Sequence, residues 1–193
     1  MKIEPLTGAR LGDLLDDVAQ LRIAIFRDWP YLYDGDVAYE RRYLQVYEDS
    51  PRAIVLGAFD GDWLVGAATG TPMSEHADDF ADAFAQSDMD IANTFYCGES
   101  VLLPRYRGRG IGHRFFDGRE AFARMGGFSH ICFASVVRPQ DHPLRPKDYR
   151  PLDGFWERRG YERMPGVIAR FPWKDVDQPG ETVKPLQFWS RAL

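Results

Sequence analysis

The chain has 193 residues, and its 24 Lys and Arg against 29 Asp and Glu give a formal net charge of −5. Hydrophobic residues make up 45% and charged residues 27%, a composition that excludes a disordered, collagen-like or coiled-coil protein. The length is enough for a domain with its own core. The negative charge makes the chain a poor general binder of nucleic acid, because phosphates need a basic surface.

The expected setting of the chain is the cytoplasm. Only two cysteines are present, Cys97 and Cys132, and both lie in apolar runs that predict buried thiols in a reducing compartment. Residues 1–5 lack the apolar core of a signal peptide. The uncharged run over residues 63–74 is too short to span a bilayer, so no membrane association is expected.

The first half of the chain predicts two helices and three strands. In chain order these are a strand over residues 1–6, helices over 11–26 and 36–47, and strands over 53–59 and 63–71. Asp60-Gly61-Asp62 separates the last two apolar runs and indicates a β-hairpin between them.

The second half continues the alternation. Its predicted elements are an acidic helix over residues 74–90, a strand over 94–103, a helix over 111–125, a strand over 130–137, a short helix over 152–159, and strands over 167–173 and 185–192 that pair as a final hairpin. There is no internal repeat or linker. One mixed α/β domain over residues 1–193 is therefore the simplest organisation.

Charge changes sign in the middle of the chain. No Lys or Arg occurs over residues 53–104, which carry nine Asp and Glu, and several arginines follow at once. The acidic segment could attract a cation, and a solvated helix face explains it equally well. The arginines coincide with glycines and indicate a polyanionic ligand.

The glycines lie in residues 104–112, between the predicted strand and helix. Gly108, Gly110 and Gly112 let the backbone turn and approach a ligand closely. The helix start that follows leaves main-chain N–H groups without partners and carries partial positive charge, so this loop predicts a pyrophosphate site. A dinucleotide fingerprint would need glycine where His113 stands, and a Walker loop would end in a lysine that is absent.

The spacing R-x-x-G-x-G does fit, with Arg107, Gly110 and Gly112 at its defined positions and Val101-Leu102-Leu103-Pro104 before it. This string resembles the acetyl-CoA loop of the GNAT superfamily of N-acetyltransferases. The order of the predicted elements is similar to that superfamily throughout the chain. Residues 155–161, a helix followed by a glycine and an aromatic residue, resemble a later segment of the same fold.

The resemblance implies a single-domain α/β fold, in which helices flank a mixed, mostly antiparallel, twisted sheet with splayed central strands. A bulge at Gly98 is the expected start of the splay. The resemblance also implies acetyl-CoA as the acyl-donor cosubstrate, with no metal. Matching the superfamily pattern gives these residues for donor binding: Ser100, Leu102, Arg107, Gly108, Arg109, Gly110, Ile111, Gly112 and His113.

Acetyl transfer requires a group that accepts a proton from the attacking amine. Glu99 is the first candidate, because it is the only acid on the predicted central strand and burial there favours a base that works near neutrality. A structural carboxylate paired with an arginine is the alternative. Counting back from Arg107 without a gap places the base of some superfamily members at Tyr96, which could instead orient a water.

The general acid departs from the superfamily pattern. Trp156 stands where many members carry a tyrosine, and an indole cannot protonate a leaving thiolate. Tyr149 and Tyr161 are near in sequence, with Tyr161 expected in the core. The four histidines share no ligand spacing with one another or with the cysteines, so no metal site is expected.

The resemblance implies a small-molecule amine as the acceptor. The aromatic turn over residues 26–33 and the Pro-rich segment over 138–146 are expected to line its pocket. Two alternatives stay open. One is a catalytically impaired module that binds or senses acetyl-CoA, and the other is a transferase for a protein N-terminus or lysine. The final hairpin is a plausible homodimer edge.

Overall fold

The computed structural model describes residues 1–193 and contains one eight-stranded sheet. The strands are β1 (Lys2–Leu6), β2 (Ile54–Asp60), β3 (Trp63–Pro72), β4 (Thr94–Tyr96), β5 (Ser100–Leu102), β6 (His130–Val136), β7 (Glu162–Lys174) and β8 (Glu181–Ala192). Their order is β1-β2-β3-β4-β6-β8-β7, with β5 also paired to β3. Only the β4–β6 pairing is parallel, so the predicted mixed, mostly antiparallel sheet is confirmed.

Five helices cover the two faces of the sheet: α1 (Ala9–Phe26), α2 (Val37–Asp49), α3 (Ala77–Phe84), α4 (Ile111–Met125) and α5 (Asp153–Arg158). The first three pack on one face, where apolar side chains of α1 and α2 meet β2, β3 and β5. The last two pack on the opposite face. None of the helices has the length and apolar character that crossing a membrane would need.

The predicted acidic helix over residues 74–90 is wrong in length. The α-helix is limited to α3, between 3-10 turns over Met73–His76 and Ile91–Asn93. The Asp90 carboxylate accepts the N–H groups of Ala92 and Asn93, so it starts a new turn instead of ending a long helix. Local bonding between an Asp side chain and the backbone competes with helix continuation in this way.

The predicted final hairpin is confirmed and is longer than expected. β7 and β8 pair from Ile168 opposite Gln187 to Lys174 opposite Glu181, and again at Arg163 after a shift in register. β7 is the outermost strand of the sheet, and β8 connects it to β6.

Candidate functional site

The predicted strand over residues 94–103 is interrupted by a bulge. Two β3 residues separate the pairs Ala68–Ser100 and Thr71–Tyr96, whereas three residues separate them on the other strand. The extra residue lies within 97–99, around the predicted Gly98. A Cβ atom added to Gly98 would lie 2.2 Å from the Tyr47 hydroxyl oxygen, so no larger residue fits there without displacement.

The ladder between β3 and β5 orients the main chain of Ser100 and Leu102. Leu103 donates its N–H to β3 over 3.0 Å, and the Glu99 carbonyl accepts an N–H from β3 over 3.1 Å. Hydrogen-bonded positions alternate along an antiparallel ladder. The N–H and C=O groups of Ser100 and Leu102 therefore point away from β3.

These groups face a gap in the sheet. The N–H of Cys97 donates to the Cys132 carbonyl over 2.8 Å, and β6 then continues to Val136 with β8 as its only partner. We call the gap between β5 and the second half of β6 the fork. The expected splay of the central strands is thus present, with Ser100 and Leu102 on one of its sides.

The bulge also places Tyr96 and Glu99 on the same face of the sheet. They are three residues apart, which would put them on opposite faces of an unbroken strand. Tyr96 instead packs against His76 and Phe80 on the α1–α3 face. Glu99 reaches Arg22 on that same face. Both candidate bases therefore lie beside the start of the fork.

Glu99 belongs to a buried group that we call the carboxylate cluster: Arg22, Glu40, Tyr43, Tyr47 and Glu99. The Oε2 atom of Glu99 lies 2.5 Å from Nη1 of Arg22 and accepts the Tyr43 hydroxyl over 3.1 Å. Arg22 also donates Nε to Glu40. The Tyr43 and Tyr47 hydroxyl oxygens are 3.2 Å apart. Only 3% of the Glu99 side chain is exposed, and its Oε1 atom is buried without a partner.

The charges of this cluster depend on one another. Burial opposes the charge of Arg22, but Glu99, Tyr43 and Glu40 raise its pKa well above the ordinary value, so the guanidinium stays charged. Burial and the charge of Glu99 raise the pKa of Tyr43, which keeps that hydroxyl a donor. Glu99 is thus paired with an arginine, and it does not stand alone among apolar side chains.

Tyr96 differs from Glu99 in having no hydrogen-bond partner for its hydroxyl. Burial first, and then nearby ionisable groups, raise the pKa of Tyr96 well above its ordinary value. The hydroxyl therefore stays protonated near neutral pH and can donate a hydrogen bond. This is more consistent with orienting a water or an amine than with accepting a proton.

We call residues 104–113, which join β5 to α4 and include the first three residues of that helix, the glycine loop. Gly108 and Gly110 have φ values of +73° and +77°, and an added Cβ at either would meet nothing within 4 Å. No side chain caps α4, and none of the six N–H groups over residues 108–113 donates a hydrogen bond within the chain. The loop therefore presents a row of free, positively polarised N–H groups at a helix N-terminus, a typical anion site.

The side chains of the glycine loop stabilise its shape. Arg107 donates Nε to the Leu102 carbonyl over 3.3 Å. The Arg105 and Arg109 guanidinium groups lie over the Tyr106 ring, 5.0 and 5.3 Å from its centre. These arginines remain exposed beside the free N–H groups and add mobile positive charge.

His113, the third residue of α4, also has a side-chain partner. Its Nδ1 atom lies 3.2 Å from Nη1 of Arg159, and its ring packs on Phe155. His113 therefore offers its main-chain N–H to the anion site, while its ring is engaged with α5 and the residue that follows it.

Arg119 holds the bulge from the α4 face. It donates Nη1 to the carbonyls of Glu99 over 2.8 Å and Thr69 over 3.2 Å, and Nη2 to the Ser100 hydroxyl over 2.9 Å. Its side chain is almost completely buried. Glu99 is thus held through its main chain on one face of the sheet and through its side chain on the other.

Trp156 and the two tyrosines considered as acids have distinct positions. Trp156 packs on Phe133 and Trp189, with ring centres 5.0 and 5.2 Å away. Tyr161 is buried in the core, as expected, and its hydroxyl donates to Glu120 over 3.1 Å. Tyr149 is half-buried and packs on Trp29, with the two ring centres 5.9 Å apart.

The two predicted pocket segments, residues 26–33 and 138–146, meet over the α1–α3 face. We call residues 29–33 and 138–150, which include most of the first segment and all of the second, the cover. Arg138 connects them, since it donates to the Pro30 and Tyr31 carbonyls and forms a two-pronged ion pair with Asp175 over 2.7 and 2.9 Å. The Trp29 and His142 rings pack together, with their centres 5.1 Å apart. The cover is therefore an ordered structure with a buried ion pair.

Arg22 and Arg119 were not among the site residues predicted from sequence, and Arg138 was included only as the first residue of the segment expected to line the acceptor pocket. Arg22 had a usable signal, because Val18, Arg22 and Phe26 are four residues apart on the buried side of α1, where a charged residue is unexpected. Arg119 occupies a similar buried position on α4. Arg138 had no local signal, since its partners lie far away in the sequence.

The comparisons with known proteins agree with this geometry. Residues 16–146, more than half of the chain, match the acetyltransferase (GNAT) family. No curated protein matches the chain. An acetyltransferase from Thermus thermophilus is 16% identical with a TM-score of 0.59, and the match covers 100% of this chain and 98% of that one.

Two further solved structures share the fold. An aminoglycoside 6'-N-acetyltransferase complexed with coenzyme A is 18% identical with a TM-score of 0.58, covering 100% of this chain and 97% of that one. A ribosomal-protein-alanine N-acetyltransferase from Brucella melitensis is 15% identical with a TM-score of 0.59, covering 100% of both chains. The forked sheet, the glycine loop and the family match lead to one conclusion: the chain belongs to the acetyltransferase (GNAT) family.

Proposed function

We propose that this protein is an N-acetyltransferase that moves an acetyl group from acetyl-CoA to the amine of a small molecule. The observation that carries the proposal is the row of six free N–H groups over residues 108–113, next to the main-chain groups of Ser100 and Leu102 that point away from β3. The proposal treats residues 1–193 as one catalytic domain.

The donor site uses mainly backbone. The free N–H groups of Gly108, Arg109, Gly110, Ile111, Gly112 and His113 would bind the pyrophosphate, and Arg107 holds their loop against β5. The pantetheine arm would pair in the fork with Ser100 and Leu102, as an added strand pairs with a sheet edge. This arrangement would deliver the thioester to the bulge, beside Glu99 and Tyr96.

The proposed chemistry is direct transfer. Glu99 accepts one proton from the acceptor ammonium, and the neutral nitrogen attacks the thioester carbonyl carbon. A main-chain N–H in the fork stabilises the oxyanion. The C–S bond then breaks, and the second nitrogen proton passes to the leaving thiolate, so that the products are an amide, CoA thiol and a proton released from Glu99. Tyr96 orients the amine or a water.

Titration calorimetry with acetyl-CoA and with CoA is the first test. We expect wild-type protein to bind both, and absence of binding would contradict the proposal. Thiol release is then measured with an alkylamine, an arylalkylamine, a polyamine, an aminoglycoside and a peptide with amino-terminal alanine. Acetylation of a small amine in preference to the peptide supports the proposed acceptor class.

A second candidate function rests on Trp156. This indole packs against two other aromatic rings and cannot donate a proton to the thiolate, which favours a module that binds acetyl-CoA without turnover. Binding without thiol release from any of the five amines would support that function. Release by wild type and by Trp156→Phe at similar rates would show that this position supplies no essential proton.

The β7–β8 hairpin is proposed as a homodimer edge, because β7 is the outermost strand of the sheet. The measurement is the mass of the protein in solution at micromolar concentration. A monomer mass would remove this proposal and would leave the proposed chemistry unaffected.

A further inference from the structure

The two oxygens of the Glu99 carboxylate have different surroundings. Oε2 receives both neighbouring donors, the Arg22 guanidinium at 2.5 Å and the Tyr43 hydroxyl at 3.1 Å. Oε1 is buried and receives none. A buried carboxylate oxygen without a donor is costly, and a polar hydrogen brought by a ligand or a water would satisfy it.

Several buried contacts fix the position of the Glu99 carboxylate and of its two donors. Tyr43 is connected to Tyr47, whose hydroxyl lies against Gly98, and the Glu99 N–H donates to the Thr69 hydroxyl over 3.3 Å. Arg22 is itself held by Glu40 and lies 4.1 Å from the centre of the Tyr43 ring. Neither donor can therefore move to Oε1 without breaking other buried bonds.

The ionisable groups around Glu99 come from every element packed against it. They are Arg22 from α1, Glu40, Tyr43 and Tyr47 from α2, Tyr31 from the cover, Tyr96 from β4, and Arg119 from α4 at the Glu99 carbonyl. Arg22 is the cation that reaches the carboxylate itself. The tyrosines are protonated because burial raises the pKa of each of them.

We propose that Arg22 and Tyr43 are positioning residues, which occupy Oε2 of Glu99 and leave Oε1 as the single carboxylate oxygen that accepts the proton of the acceptor ammonium. This inference rests on the proposed function. Arg22 binds Oε2 through its charge, and the Tyr43 hydroxyl sets the rotation of the carboxylate. The proton transferred from nitrogen to Oε1 is later released to water. In this transfer the ammonium and the Glu99 carboxylate both become neutral, and no other protein group changes its charge.

The test measures the Glu99 carboxyl directly and needs no acceptor. Protein labelled with 13C at the glutamate carboxyl carbons is titrated by NMR, and the signal missing from Glu99→Gln identifies Glu99. We expect the midpoint of its titration to rise in Arg22→Gln, because a neighbouring opposite charge is removed. A smaller rise is expected in Tyr43→Phe, which loses one hydrogen bond.

The matched control is Arg41→Gln. Arg41 forms an exposed ion pair with Asp16 and lies on α2, which also carries Tyr43, so its loss should leave the Glu99 midpoint unchanged. Because Arg22→Gln removes the cation between two buried carboxylates and could prevent folding, Tyr43→Phe is the second, conservative variant. An unchanged Glu99 midpoint in the folded variants overturns the inference.

The activity arm separates this inference from the proposed function. Thiol release from acetyl-CoA is followed against pH with n-butylamine, tyramine and spermidine as probes. The acidic limb of kcat/KM should move to higher pH in Arg22→Gln and Tyr43→Phe, and this limb should disappear in Glu99→Gln. No thiol release by wild type overturns the proposed function. Release with an acidic limb that does not move in the variants overturns only the positioning roles.

Discussion

The glycine loop and the carboxylate cluster lie next to each other but are built differently. The loop offers main-chain N–H groups from six consecutive residues, and its shape depends on glycines that tolerate positive φ. The cluster offers side chains from α1, α2 and the bulge, which hold one another through buried ion pairs and hydrogen bonds. Gly108, Gly110 and the arginines of the loop are exposed, whereas most residues of the cluster are buried.

This difference determines which substitutions each region tolerates. A backbone site depends little on side-chain identity but strongly on the conformation that glycine permits. A buried cluster depends on every partner, because removing one charge leaves another without compensation. The variants below each disturb one region and leave the other as an internal control.

The largest effect is expected for Asp175→Asn, which removes the carboxylate that binds Arg138 and Lys184 under the cover. Two buried cations lose their counter-charge, and the free energy of unfolding in urea at pH 7 should fall by about 3–5 kcal/mol. Acetyl-CoA binding by the folded fraction should be unchanged. Asp177→Asn, at an exposed site two residues away, is the control and should be neutral.

The contacts of Asp175 with Arg138 and Lys184 also predict how the stability loss in Asp175→Asn depends on pH. Burial raises the pKa of Asp175, but hydrogen bonds and charges from Arg138 and Lys184 outweigh burial and lower the pKa overall. A lowered folded-state pKa gives stability that is present above the unfolded-state pKa and is lost as the pH falls. The stability difference between wild type and Asp175→Asn should therefore shrink below about pH 4. A stability difference that stays constant with pH would show that the charge of Asp175 is not the cause of the loss.

Gly110→Glu should disable the glycine loop alone. Its side chain would place negative charge among the free N–H groups, and acetyl-CoA affinity measured by calorimetry should fall at least about 100-fold, or about 2.8 kcal/mol. Gly127→Glu is the matched control, because Gly127 also has positive φ and open space, at the other end of α4. Equal binding by the two variants would place the donor elsewhere.

Gly98→Ala should disturb the bulge by a smaller amount. The added methyl group would lie 2.2 Å from the Tyr47 hydroxyl oxygen and 2.7 Å from that of Thr69. Overpacking of this kind costs about 1–3 kcal/mol in urea unfolding. Gly180→Ala, which has open space, should be nearly neutral.

A double variant shows whether the contact between the added methyl group and the Tyr47 hydroxyl causes the stability loss in Gly98→Ala. Tyr47→Phe removes the closest atom, so part of the stability lost in Gly98→Ala should return when the two changes are combined. Strictly additive effects of Gly98→Ala and Tyr47→Phe would contradict the contact.

The smallest effect is expected from thiol reagents. Burial raises the pKa of Cys97 to about 11 and that of Cys132 well above its ordinary value, and neither thiol is exposed. At pH 8 a disulfide reagent should find no reactive thiol in the native protein and two after unfolding. Rapid reaction of one thiol in the native protein would mean that the bulge opens.

The glycine loop could be located from sequence because its determinants are local. Its glycines, arginines and helix start are consecutive, and the structure has α4 over Ile111–Met125 as predicted. The carboxylate cluster was out of reach, because Arg22 and Glu99 are far apart in sequence and meet only when α1 packs on the sheet. Glu99 and Tyr96 were named as alternatives, and the bulge brings both to one face, which strand periodicity alone does not predict.

Arg138 contacts one residue far before it and one residue far after it in the sequence, and this has a consequence for the order of folding. Arg138 bonds to the Pro30 carbonyl 108 residues earlier and to Asp175 37 residues later. Contacts that close such long loops form late, because chain entropy is lost before they contribute. We therefore expect a refolding chain to order the cover late, once residues 30, 138 and 175 have come together.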